Sequence, residues 1–183
     1  MKIKEHGKRG FPFNIYPCSI PVDFTHVALH WHEEMELVYA AEGSMEVRIP
    51  SSSFCVRKGD LFANQFQHPV TLHLPSKAVC FTPLFFSPSL VTGTDNSVFA
   101  KKYVHPLLSC PSFSGFLFPS SKYPEIIRDF CAAFEVMKKE PPGFEFIVRE
   151  KLSCICFFLS QKFKKRWSFL LPLQVKMICV SKK

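Results

Sequence analysis

At 183 residues, with 47% hydrophobic content and 21 phenylalanines, the chain is long and apolar enough for one domain with a packed core, which excludes a disordered chain. No apolar run approaches the roughly 20 residues a bilayer crossing requires. The basic opening MKIKEHGKRG has no apolar stretch behind it, so the expectation is a cytoplasmic protein with no signal peptide and no membrane span.

In chain order, residues 1–21 read as an N-terminal arm. Phe11-Pro12-Phe13 and Tyr16-Pro17 make it aromatic and extended, because proline disfavours helix at the residue before it. Short strands then follow at 24–32, 35–41 and 45–49, with Gly43-Ser44 as the turn between the last two. Within 35–41 the alternation is clean: Met35, Leu37 and Tyr39 share one face, and Glu36, Val38 and Ala40 share the other. Residues 51–53 read as a turn, 54–57 as a strand and Gly59-Asp60 as a tight turn, with further strands at 61–64, 70–74 and 78–86. Closely spaced strands with no helix between them predict a mainly β, antiparallel sandwich or barrel.

Residues 87–121 are rich in Ser, Pro and Phe and read mostly as loop, with a short strand near 116–118. From Lys122 the pattern changes. Ile126, Ile127, Phe130, Phe134 and Met137 recur at helical spacing, which predicts an amphipathic helix over 123–139. Pro141-Pro142-Gly143 ends it, and a second helix is predicted over 144–163. That helix is apolar on more than one side, so either the sheet and the first helix cover it together, or a second subunit does. The chain thus divides into an arm (1–21), a β-barrel (22–121), a two-helix segment (122–166) and a basic tail or linker (167–183).

The segment with most chemistry begins at His30-x-His32, places Glu36 four residues later and reaches Gly43 after six intervening residues. Alternate residues of a strand share a face, so His30 and His32 point the same way. Glu36 keeps that parity, and one sheet face then carries two imidazoles and a carboxylate, a set suited to a divalent metal. His73 reads as a structural or surface histidine, since nothing at catalytic spacing accompanies it. No Gly-x-Ser-x-Gly elbow, phosphate loop or dinucleotide fingerprint is present. The eight cysteines form no CxxC pair and read as reduced, buried thiols.

The HxH, Glu36, Gly43 spacing resembles the first cupin motif, and Gly59-Asp60 resembles the start of the second. With HWHEEMELVY, EGSMEVRI and RKGDLF, residues 10–165 resemble the effector-binding domain of AraC/XylS-type bacterial transcription regulators. The resemblance implies a cupin-type antiparallel β-barrel (a double-stranded β-helix, or jelly roll) followed by two helices that make a homodimer contact. It also implies an effector pocket in the barrel, built from His30, His32, Glu36, Val38 and His68, in which a small molecule such as a sugar or small acid is sensed without metal. The chain departs from the cupin pattern in its second motif. Gln65 and Gln67 stand where that motif has proline and glycine, His68 lies only nine residues after Gly59, and Phe24 replaces the glycine of the first motif.

Charge separates body from tail. The eight cations of residues 151–183, with no acid among them, account for the whole excess of 23 basic over 15 acidic residues. A neutral body argues against a nucleic-acid surface on the barrel. An AraC-type regulator binds DNA through a carboxyl-terminal pair of helix-turn-helix units, and the sixteen residues after Trp167 are too few to build one. The expectation is a sensor half without its output half, with no sequence-specific DNA binding of its own. The alternative is a small metal-dependent cupin enzyme, a dioxygenase or isomerase, using His30, His32, Glu36 and His68 around iron, manganese or zinc.

Overall fold

A computed structural model of the chain describes residues 11–20, 27–30, 34–50, 52–65, 70–73 and 79–164, with backbone alone for 20, 27–30 and 70–73. Ten strands occur among these residues. They are β1 (Phe13–Ile15), β2 (Cys18–Ile20), β3 (Val27–His30), β4 (Met35–Glu42), β5 (Ser44–Ile49), β6 (Ser52–Arg57), β7 (Leu61–Asn64), β8 (Val70–His73), β9 (Val79–Phe86) and β10 (Gly115–Phe118). They form two antiparallel sheets. One runs β1-β9-β4-β7-β10, with β2 also on β9, and the other runs β3-β8-β5-β6. No sheet neighbours in either are joined by a parallel crossover.

Two tight connections carry the chain between the sheets, and both depend on glycine. Gly43 (φ 76°) joins β4 to β5, and Gly59 (φ 87°) joins β6 to β7. Left-handed backbone of this kind is cheap only for a residue without Cβ. The two turns lie side by side, since the Lys58 N–H donates to the Gly43 carbonyl at 2.9 Å and the Gly59 N–H donates to the Ala40 carbonyl at 2.8 Å.

The alternation read in β4 decides the layering. Val38 and Ala40 pack inward with Met45, Val47, Val56 and Phe62 between the sheets. Met35 and Leu37 face outward with Leu61, Ala63 and Leu84. That outer face is covered by α3 (Pro124–Lys139) and α4 (Phe144–Lys164), the latter contributing Val148, Leu152, Ile155 and Leu159. Full burial of each such aliphatic side chain contributes about 1.5–3 kcal/mol. Pro124 opens α3, where its missing N–H costs nothing, and Glu140 ends it in left-handed backbone (φ 42°) before Pro141-Pro142.

Two local expectations need correction. The stretch read as loop contains helical turns: α1 (Ser89–Thr92), a π-helical turn at Ala100–Val104, and α2 (His105–Leu108). Leu90, Val91, Val104 and Leu107 bury into the outer core from these turns, and the surrounding Ser, Thr and Asn composition masked their spacing. Second, Ser52 and Ser53 belong to β6, paired with Ile49 and Arg48, because the cross-strand ladder outweighs the turn preference of serine. The described part of the N-terminal arm runs along a sheet. β1 and β2 both pair with β9, and Phe11 packs edge-on against Phe144 at 5.8 Å.

Most of the apolar surplus on α4 is covered within the chain. Phe158 packs on Tyr123 at 5.3 Å and on Phe118 at 5.7 Å, and Phe163 packs on Phe113 at 4.9 Å. Phe146, at 81% exposure, and Phe157, at 53%, are left facing outward.

The thiols sort by the same layering. Cys110 and Cys156 are buried, and burial pushes the Cys156 thiol up to about 12. Cys55 and Cys154 are exposed. A pulse of iodoacetamide at pH 8 is therefore expected to alkylate Cys55 and Cys154 in the native protein and to leave Cys156 unmodified until the chain unfolds, as read by peptide mass spectrometry. Native-state labelling of Cys156 at the rate of Cys55 would contradict this packing.

Candidate ligand-binding site

Directly opposed residues of neighbouring antiparallel strands project from the same face. Glu36 opposes Asn64 on β7 and Phe85 on β9, and Asn64 in turn opposes Gly115 on β10. A row Phe85–Glu36–Asn64–Gly115 therefore crosses the inner face of the larger sheet. The next row along is Pro83–Val38–Phe62–Leu117. Glu36 is 3% exposed and Asn64 1%, so a carboxylate and an amide sit within a wall otherwise made of Val38, Ala40, Phe62 and Phe81. Taking a carboxylate out of water costs several kcal/mol before any compensation. Such a group in an apolar layer is a candidate for recognition chemistry.

The glycine of this row has a packing reason. A Cβ at Gly115 would lie 2.6 Å from Cζ of Phe62 and 3.3 Å from Cδ1 of Ile49, so the phenyl ring occupies the space a side chain would need. On the opposite face, Gln65 follows β7, and its buried Nε2 donates to the carbonyl of Leu108, which fixes α2 to the sheet.

Not all of the sequence-predicted site is brought together as expected. Glu36 and Val38 do share the inner face. His30, however, ends β3 in the smaller sheet, paired with Val70, whereas Glu36 is the second residue of β4 in the larger one. The two therefore do not stand on one sheet face as the parity argument required. Parity counts only along an unbroken strand, and the chain changes sheet between these residues. His32 and His68 lie outside the described residues, as does the direction of the His30 side chain. His73 lies on β8 opposite Glu46. Asn64 and Phe85 were missed as site residues, since their place beside Glu36 follows only from strand register.

Gly59-Asp60 has a structural task. Asp60 is buried; its Oδ1 accepts from the Ser120 N–H at 2.8 Å and from the Ser120 hydroxyl at 3.2 Å, and its Oδ2 accepts from the Arg57 N–H at 3.2 Å. The carboxylate thereby latches the β6–β7 turn to the segment that leads from β10 into α3.

For a metal, Glu36 is the one predicted ligand whose side chain is described. Among the described residues no group of three His, Cys, Asp or Glu side chains is placed to hold an ion. The oxygens of Glu36 and Asn64 are hard donors that suit manganese or iron(II) in type but supply too few ligands by themselves. No helix among the described residues is long and apolar enough to cross a membrane. Elsewhere, the Tyr39 hydroxyl bonds to the Cys131 thiol on the outer face, and burial pushes both groups above their ordinary values, so both stay neutral there.

An antiparallel, sheet-dominated chain of two facing sheets with a helical pair on one of them fits a cupin-like β fold. The same fold is found in apo ToxT K231A from Vibrio cholerae, an AraC-family regulator, which is 11% identical over 88% of this chain and 59% of that one, with a TM-score of 0.51. At that identity the likeness is one of fold alone. Shorter overlaps occur with an RmlC-like cupin of double-stranded β-helix fold from Methanocaldococcus jannaschii (12% identity, 47% of this chain, 74% of that one, TM-score 0.38). Oxalate decarboxylase from Bacillus subtilis is matched at 32% identity over 33% of this chain and 17% of that one, with a TM-score of 0.30. Neither of these two overlaps carries a structural argument. No protein-family model matches the chain, and no curated protein matches it.

Proposed function

We propose that the chain is the small-molecule-sensing and self-associating domain of an AraC-type transcription regulator. The observation that carries this reading is the buried Glu36–Asn64 pair on an otherwise apolar inner face. In this reading the two sheets close as a double-stranded β-helix, and His30, His32 and His68 complete the pocket around Glu36 and Val38. DNA is contacted only through a helix-turn-helix domain beyond the basic segment 167–183. The fold likeness to an AraC-family regulator over 88% of the chain supports the reading.

The chemistry of the row chooses between the two ligand classes. A buried carboxylate beside an amide accepts hydrogen bonds from hydroxyls and repels a second anion. The inner pocket therefore suits a neutral polyhydroxylated molecule, such as a sugar, better than a small acid.

Thermal melts against a panel of neutral monosaccharides test this. At least one sugar should raise the melting temperature in proportion to the logarithm of its concentration. Glu36→Gln, which keeps shape and removes charge, should leave the unliganded stability within about 1 kcal/mol and weaken the sugar at least roughly tenfold, the loss of one charge-assisted hydrogen bond. Metal analysis of the purified protein separates the enzyme alternative. Near-stoichiometric iron, manganese or zinc that is lost on His30→Ala, with no sugar response, would overturn the sensor reading.

A further inference from the structure

A second concavity lies at the β10 end of the Glu36–Asn64 row, where Gly115 belongs to both. Strands β6 and β10 are the end strands of different sheets, and no pairing joins them among the described strands. Where they approach the last turns of α4, a cleft of about 470 Å³ opens. That volume falls in the range of roughly 300–1,000 Å³ typical of small-molecule sites. Behind it, the Phe62 ring lies 5.0 Å from the ring of Phe54 and against Gly115, so apolar packing fills the interior at this edge.

The lining is aromatic, hydroxylic and positive. Phe54, Phe116 and Phe163 supply three rings, and Phe116 and Phe163 meet edge to face at 5.9 Å. Ser112 and Ser114 bring hydroxyls from the loop before β10. Among the described residues, Lys162 is the charged residue of the lining, and no acid is part of it. Its ammonium stands 5.8 Å from the centre of the Phe116 ring, and it makes no ion pair among the described residues. The cation is thus held over the aromatic wall by its attraction to the ring face, with its charge available to a ligand.

We propose that this cleft binds an aromatic monocarboxylate. The ring inserts among Phe54, Phe116 and Phe163, the carboxylate pairs with Lys162, and a serine hydroxyl donates the second hydrogen bond. Among the described residues the lining carries one cation and no other charge, which matches a monoanion, whereas a phosphate dianion would remain half compensated. Neither Glu36 nor Asn64 lines this cleft, and its charge preference is opposite to theirs, so it does not rest on the sensor reading.

Phenylacetate and its neutral isostere phenylacetamide are the probes, titrated into the full chain by calorimetry and by amide chemical-shift changes. Phenylacetate should bind, with phenylacetamide at least roughly tenfold weaker, as expected when one charge-assisted pair is removed. Lys162→Met should weaken phenylacetate to the level of the amide, and Lys162→Arg should restore it. Lys164→Met, which alters a neighbouring lysine outside the cleft, and Glu36→Gln should both leave the affinity unchanged. Melting curves of each variant confirm that the fold is retained. Equal affinity for acid and amide, an unaltered Lys162→Met variant, loss on Glu36→Gln, or no binding at tens of millimolar would each overturn the proposal.

Discussion

Replacing Asp60 with alanine is expected to lower stability by about 3 kcal/mol, a large share of the 5–15 kcal/mol that holds most domains. The carboxylate is buried and accepts three hydrogen bonds, two from backbone N–H groups of Arg57 and Ser120 and one from the Ser120 hydroxyl. Alanine would take the acceptor from all three part-buried donors, and hydrogen bonds to a charged acceptor contribute about 1.5–3 kcal/mol each, less than additively. In a chain of this size the melting temperature should fall by about 6–12 °C. Asp60→Asn keeps an acceptor and should lose about half as much. Urea unfolding provides the measurement, with a lower midpoint at unchanged slope as the expected signature. A loss below about 1 kcal/mol would show that the β6–β7 turn and the start of α3 are fixed by other contacts.

Phe157→Asp is expected to convert a dimer into a monomer. In the regulatory reading α4 pairs with its mate, and the exposed rings of Phe146 and Phe157 are the surface for that pairing. Eleven residues separate them in the chain. At 100° per residue the two rings therefore fall within about 20° of one line, some 16 Å apart along the axis. A two-fold axis crossing α4 between them would set Phe146 of one protomer against Phe157 of the other, a self-complementary contact. Each aromatic ring fully buried contributes about 1.5–3 kcal/mol and occurs twice in such a dimer. Aspartate at position 157 should therefore weaken association by at least about a hundredfold. Its folding stability should change little, because the ring is half exposed and its one close aromatic partner among the described residues is Tyr103, at 5.7 Å. Phe158→Asp should unfold the protein instead, since that ring packs on Tyr123 and Phe118. Sedimentation at tens of micromolar decides the matter; a monomeric unmodified protein would refute the pairing.

Periodicity in the sequence was enough for β4, β5, β7 and both long helices, because each has an uninterrupted apolar repeat that local geometry must honour. Met35, Leu37 and Tyr39 against Glu36 and Val38 already implied two different environments, and Ile126, Phe130 and Phe134 implied one buried helical face. The inward direction of Glu36 was legible for the same reason. Tertiary structure decided what local pattern does not encode. Buried contacts with the outer core outweighed a Ser- and Pro-rich composition to make the helical turns between Ser89 and Leu108. Strand register made Asn64 the neighbour of Glu36, although 28 positions separate them in the chain. The change of sheet between β3 and β4 put His30 and Glu36 on different sheets, which no count of residues reveals, because parity is a property of a single strand and is lost where the backbone turns.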